Sequence, residues 1–162
     1  MRGMRNNNPL NIRHSADRWQ GARKEQTDKC FVQFKSMAYG YRAAWKTMQT
    51  YYRRFCTQSK PYTVENIIRR WAPPDENPTE AYIRTVVRLS GIGERVCLLP
   101  PEDVNAYPYL SRLIAAMTCV ECGMRMEQVD TEAISQGYRL AFPENKEELD
   151  QWLSQEDEFR DW

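Results

Sequence analysis

The sequence predicts a mainly α-helical domain with a small β element near its N-terminus. Apolar residues recur at helical spacing from residue 36 onward. The ends of those periodic segments coincide with Ser and Thr caps and with Gly or Pro stops. The one short β-rich run, Cys30-Phe31-Val32-Gln33-Phe34, lies within the first 35 residues.

Taken in order, Asn6-Asn7-Asn8-Pro9 is turn chemistry, and Trp19-Gln20-Gly21 opens a partner for the 30–34 run, giving a small hairpin. Ser36 caps a helix to about Phe55, with Tyr41, Ala44, Trp45, Met48 and Tyr52 at helical spacing. Thr63 caps the next, with Ile67, Ile68 and Trp71 on its apolar side, and Pro73-Pro74 ends it. Thr79 is expected to cap a third helix, with Tyr82, Ile83, Val86 and Val87 on one face and Gly91 past its end. Leu98 to Pro101 is a connector. A fourth helix runs from about Pro108 to Glu121 or Cys122 and is closed by Gly123. A fifth covers Thr131 to Ala141. A sixth, about Asn145 to Phe159, is acidic, with a thin stripe of Leu149, Trp152 and Leu153; the stretch 144–162 is either a helix of the domain or a peripheral arm.

The 162 residues suit one domain spanning 1–162, with no internal linker or repeat. With 41% hydrophobic and 28% charged residues the composition is that of a globular chain, not a disordered one. No apolar run approaches the roughly 20 residues that span a bilayer. Met1 to Asn8 contains no apolar stretch of the Sec type. The expectation is synthesis in the cytoplasm without a signal peptide, followed by delivery or release.

Charge is divided along the chain. Lys and Arg outnumber Asp and Glu 13 to 3 in residues 1–60, and are outnumbered 14 to 5 in residues 101–162. The basic part suits a polyanion such as an acidic cell-wall polymer, an anionic lipid or nucleic acid; equally, the basic and acidic parts face each other or are simply solvated. No helix-turn-helix, zinc-finger or RNA-binding signature supports specific nucleic-acid recognition. The five cysteines favour reduced thiols. Cys119 and Cys122 form a CxxC inside a helical pattern, with His14 the sole histidine, so buried structural thiols are favoured over a zinc or redox site.

The fourth helix holds the residue that stands out. With Leu110 at zero and about 100° per residue, Leu113 falls near about 300°, Ile114 about 40°, Met117 about 340° and Val120 about 280°. Glu121 lands at about 20°, inside this apolar arc. Burying a carboxylate costs several kcal/mol unless it is paired or protonated. Desolvation and the negative end of the helix dipole both raise its pKa, which is how a glutamic acid comes to donate a proton near neutral pH. A Glu paired with a buried Arg, or one turned outward in the last helical turn, fits the same pattern.

Ala116-Met117-Thr118-Cys119-Val120-Glu121-Cys122-Gly123 resembles the segment of lytic transglycosylases and cell-wall glucosaminidases in which a helix ends in Glu-Ser-Gly, with Cys122 in place of the Ser. Asn6 to Arg13, Trp19-Gln20-Gly21 and Phe31 to Ser36 are similar to the glucosaminidase pattern of an Asn-rich turn, Gly-Ile-Lys, Trp-x-Gly and an aromatic strand ending in Ser; here Asn11-Ile12-Arg13 stands for Gly-Ile-Lys. Trp71 to Val86 resembles the later Tyr-Ala-Thr-Asp-Pro-x-Tyr segment. In those families the Glu helix comes first, whereas here it comes last. Joining the end of the chain to its start restores the order, so the resemblance implies a circularly permuted lysozyme-like fold. The same arrangement resembles virion-associated phage lysins and phage structural proteins. It covers roughly residues 5–141.

The resemblance implies that peptidoglycan glycan strands are the partner and substrate, with Glu121 as the catalytic acid and no metal or organic cofactor. Glu121 would protonate the glycosidic oxygen. In the transglycosylase mode it then acts as base while the sugar's own 6-hydroxyl closes an anhydro ring; a muramidase or glucosaminidase uses water. Asp75 and Glu76 are candidates for a second acid, and equally fit turn and helix-start positions. Tyr82 is expected to line the cleft and orient the sugar, or to be a core aromatic. Asn7, Trp19, Tyr39 and Trp71 are substrate-binding candidates, the three aromatics by stacking on sugar rings, with a place in the core as the alternative for each. The rival is a non-enzymatic phage structural or nucleic-acid-binding protein that uses the basic part.

Overall fold

The computed structural model describes residues 1–160, with side chains through residue 157; Asp161 and Trp162, the last residues of the predicted arm, lie outside the described residues. Seven α-helices follow one another: α1 Arg2–Arg5, α2 Met37–Thr57, α3 Val64–Trp71, α4 Thr79–Ser90, α5 Tyr107–Cys122, α6 Thr131–Ala141 and α7 Lys146–Arg160. The protein is mainly helical, as the periodicity predicts. The caps work as expected at α2 and α3: the Ser36 hydroxyl accepts from the Tyr39 N–H, and Thr63 accepts from Asn66. At α4 the expectation fails by one residue. Pro78 occupies the cap, and Thr79, already helical and buried, turns its hydroxyl back to the Ala72 carbonyl. Gly123 stops α5 in the left-handed region at φ 63°, which a residue with a Cβ adopts only under strain.

The N-terminal region departs most from the prediction. α1 has no counterpart among the predicted elements, and the hairpin is reduced to two isolated antiparallel bridges, Arg13 with Phe31 and Ala22 with Phe34. The reason is that the 30–35 segment changes partner along its length. The His14 and Val32 amides pair it with residues 12–14, and the Arg23 and Lys35 amides pair it with residues 21–23. Side chains complete what a ladder would supply. Buried Asn8 donates to the Ile12 and Val32 carbonyls at 2.9 and 2.8 Å and accepts from the Ile12 amide at 2.8 Å. The Gln33 carboxamide joins Thr27 to Asn6. Asp28 accepts from both Arg2 nitrogens at 2.6 Å, from Asn6 and from the Cys30 and Phe31 amides, which hold its carboxyl well below the usual range.

α5 runs through the core. Leu110, Leu113, Ile114 and Met117 are fully buried, as the wheel predicts. α2 and α6 cross at close range. A Cβ at Gly137 would sit 2.6 Å from the Tyr41 Cβ and 2.8 Å from the Arg42 nitrogen, so the crossing distance requires glycine there. The Trp45 ring meets Tyr107 and Tyr138 at 5.5 and 4.9 Å, and its indole donates to the Ile134 carbonyl.

α7 is docked, not a free arm. Leu149 is fully buried, Asp150 accepts from Arg139 of α6 at 2.7 Å, and Trp152 packs edge-on against Tyr107 at 5.8 Å. At the other end of α5, the N-terminal amine is close enough for its charge to act on the Cys122 thiol. No helix among the described residues is long and apolar enough to cross a membrane.

Candidate active site

The C-terminal end of α5 delivers Glu121 to the wall of a cleft of about 390 Å³. The N-terminal segments bring Asn11, Arg13, Asp17, Trp19 and Phe31 to the same cleft; α2 brings Thr47 and Tyr51; α3 and the turn after it bring Trp71, Glu76 and Asn77. Four sequence candidates therefore converge: Glu121, Trp19, Trp71 and Glu76.

Glu121 is half-buried and takes part in none of the ion pairs among the described residues. The buried-Arg alternative is thereby excluded within that set. Burial pushes its carboxyl up, and Asn11, Tyr82 and the Arg13 charge partly offset the rise. The Asn11 amide donates to the Glu121 main-chain carbonyl at 3.4 Å, and the Tyr82 hydroxyl donates to its Oε2, also at 3.4 Å. Both bonds are long; the Asn11 bond holds the main chain at the end of α5, and the Tyr82 bond contacts the carboxyl without cancelling its desolvation. The result is a carboxyl whose pKa is raised by burial, facing a space with two half-buried indoles.

The other candidates are placed differently. Tyr82 is buried and does not line the cleft; only its hydroxyl reaches Glu121, and burial together with the Glu121 charge pushes that phenol well above its usual range. Asp75 is exposed and outside the cleft, at the turn between α3 and α4, while neighbouring Glu76 lines it. Tyr39 does not face the cleft either. Its ring lies so close to Gly21 that a Cβ there would be 2.1 Å from it, so it packs the N-terminal segment onto α2. Asn7 sits at φ 50° and donates to the Phe34 carbonyl at 3.2 Å, a structural clamp for the same segment.

Sequence reasoning missed Asn11, Arg13, Asp17, Thr47 and Tyr51. The signal for the first two lay in the Asn11-Ile12-Arg13 triplet. Thr47 and Tyr51 stand one turn apart on α2, beside the apolar face, where pattern alone does not separate a rim from a core edge. Cys119 and Cys122 are both buried. The Cys122 thiol donates to the Pro9 carbonyl at 3.3 Å and burial pushes it up to about 11, so it ties α5 to the Asn-rich turn.

No known family model matches this chain. It is 35% identical over 144 residues to Protein P5 of Pseudoalteromonas phage PM2, an alignment covering 87% of this chain and 82% of that protein. At that identity and coverage, the chain belongs to the same family as this bacteriophage protein.

Proposed function

We propose that the protein cleaves the glycan strand of peptidoglycan with Glu121 as its single general acid and base, on a circularly permuted lysozyme-like framework. The observation that carries the reading is a half-buried carboxyl with a raised pKa and no ion pair among the described residues, at the end of a core helix and open to a cleft flanked by Trp19 and Trp71. A protonated Glu121 donates to the glycosidic oxygen as the sugar becomes oxocarbenium-like. The carboxylate so formed then takes a proton from the incoming nucleophile, either the sugar's own 6-hydroxyl or a water. The indole faces offer flat apolar surface to the sugar rings. Glu76 and Asp17 are exposed and line the same cleft, and in the hydrolytic mode one of them would assist the water.

The permutation draws support from α1 packing at the Glu121 end of α5, where the family order would place the Asn-rich turn directly after the Glu helix. Kinship with a phage protein supports delivery to the wall with the virion.

A zymogram on purified peptidoglycan, run with wild type and Glu121→Gln, tests the reading. Clearing by wild type alone is expected. Mass spectrometry of the released muropeptides then separates anhydro from reducing ends. A folded wild-type protein that clears nothing, yet binds nucleic acid or assembles into particles, favours the non-enzymatic alternative.

A further inference from the structure

Two guanidinium groups lie over the Phe31 ring. The Arg2 guanidinium lies 4.6 Å from the ring centroid and that of Arg13 5.2 Å. The two have different fates. Arg2 is held by Asp28 through two bonds of 2.6 Å. Arg13 is exposed, lines the cleft that holds Glu121, and enters none of the ion pairs among the described residues. The aromatic ring thus supports the side chain while its fork of donors stays available, a geometry that suits bidentate capture of a carboxylate. The acids sharing the cleft form no ion pair with Arg13 among the described residues: the Asp17 carboxylate accepts from the Ser15 hydroxyl at 3.1 Å, Glu76 is exposed, and Glu121, on which the Arg13 charge acts, is beyond ion-pair distance. Tyr51, another lining residue, lies within reach of the Arg70 and Arg54 charges, which adds to the positive field.

We propose that Arg13 forms an anion subsite of this cleft and binds a carboxylate carried on the lactyl arm of a muramyl sugar, so that the protein selects charged over neutral glycan. The inference rests on the glycan-cleavage reading above. The carboxylate has two chemical sources, the free acid of an arm without peptide and the acids of an attached peptide stem. Both meet the same fork of donors.

The test compares three soluble glycans: one with native stems, the same material with its carboxylates converted to methylamides, and a glycan freed of stems so that each lactyl arm ends in a free acid. For wild type, KM on the native glycan should be about fivefold lower than on the methylamide, the size of a well-formed exposed ion pair. Arg13→Gln removes the charge and should collapse that ratio to about one. Because the Arg13 charge also restrains the rise of the Glu121 pKa, KM is compared between charged and neutral glycan within each protein, and kcat is read from full pH–rate profiles, whose alkaline limb should move to higher pH in the variant. Arg13→Lys should recover part of it. An Arg13-dependent advantage on the stem-free glycan assigns the carboxylate to the arm itself, and one confined to stemmed glycan assigns it to the peptide; both support the subsite. Added salt should raise the wild-type KM on native glycan but not on the methylamide, a readout that needs no variant. Equal, salt-independent KM values for the charged and neutral glycans overturn the subsite and leave glycan cleavage standing. So does an Arg13→Gln variant that retains the wild-type ratio. Failure of wild type to cut any of the three overturns both.

Discussion

The Tyr82 hydroxyl donates to Glu121 Oε2 at 3.4 Å, from a phenol that is itself buried and does not line the cleft. A hydrogen bond to the charged form of a carboxyl lowers its pKa. Tyr82 therefore restrains the rise that burial imposes on Glu121. Removing that hydroxyl in Tyr82→Phe should raise the Glu121 pKa further, moving the alkaline limb of the pH–rate profile to higher pH. The rate at the optimum should fall about two- to tenfold as the acid loses an orienting contact, with the fold retained. A pH–rate profile of the variant checks the sign; an alkaline limb moved to lower pH contradicts it.

Cys119 and Cys122 pack the end of α5, and the Cys122 thiol donates to the Pro9 carbonyl. Replacing both with Ala should cost about 1–3 kcal/mol of unfolding free energy, through lost packing and one lost bond. Peptidoglycan turnover per folded molecule should stay near wild type at a permissive temperature. Denaturant titration and turnover on one preparation measure both quantities. Abolished turnover with stoichiometric zinc in the wild-type protein would contradict a structural role.

Gly137 sets the crossing of α2 and α6. Because its added Cβ would meet the Tyr41 Cβ at 2.6 Å and main-chain atoms of α2 below 3 Å, the clash cannot be relieved by a side-chain rotation alone. Gly137→Ala should lose about 1–3 kcal/mol as the two helices move apart, despite the higher helix propensity of Ala. Thermal unfolding of the variant tests this, and an unchanged or raised midpoint would show that the crossing tolerates a methyl group.

The helical frame was legible because its signals are local. Ser36 and Thr63 cap where their side chains place them, Gly91 and Gly123 stop helices where φ turns positive, and Leu110, Leu113, Ile114 and Met117 repeat at the helical period. Glu121 was legible for the same reason, as a charge out of register with its own helix face. The N-terminal region was not, because its order comes from side chains far apart in sequence. Asn8 reaches Val32, Asp28 reaches Arg2, and Gln33 reaches Asn6, none of which periodicity encodes. The aromatic candidates divided for a related reason. Trp19 and Trp71 reach the cleft while Tyr39 covers Gly21, and residue type alone does not distinguish a ring that faces ligand from one that faces backbone. Arg13 became visible only when Phe31 and the cleft wall were assembled around it.

Glu121→Gln, followed for stability and turnover on one preparation, tests the central claim most directly. The variant keeps shape and hydrogen-bonding capacity and removes the titratable proton. Peptidoglycan turnover should fall about 10²–10⁴-fold, the scale of general acid catalysis. In wild type, the rate should decline as pH rises through the raised Glu121 pKa, since only the protonated form donates. The stability comparison has a definite sign. A folded-state pKa above the unfolded one means that wild type bears no charge-burial cost below the unfolded carboxyl value of about 4.3; the cost then grows with pH and is complete above the folded value. The Gln variant should therefore match wild type in acid and equal or exceed its thermal midpoint at neutral pH. A variant that folds like wild type and cuts peptidoglycan at the wild-type rate would contradict the account.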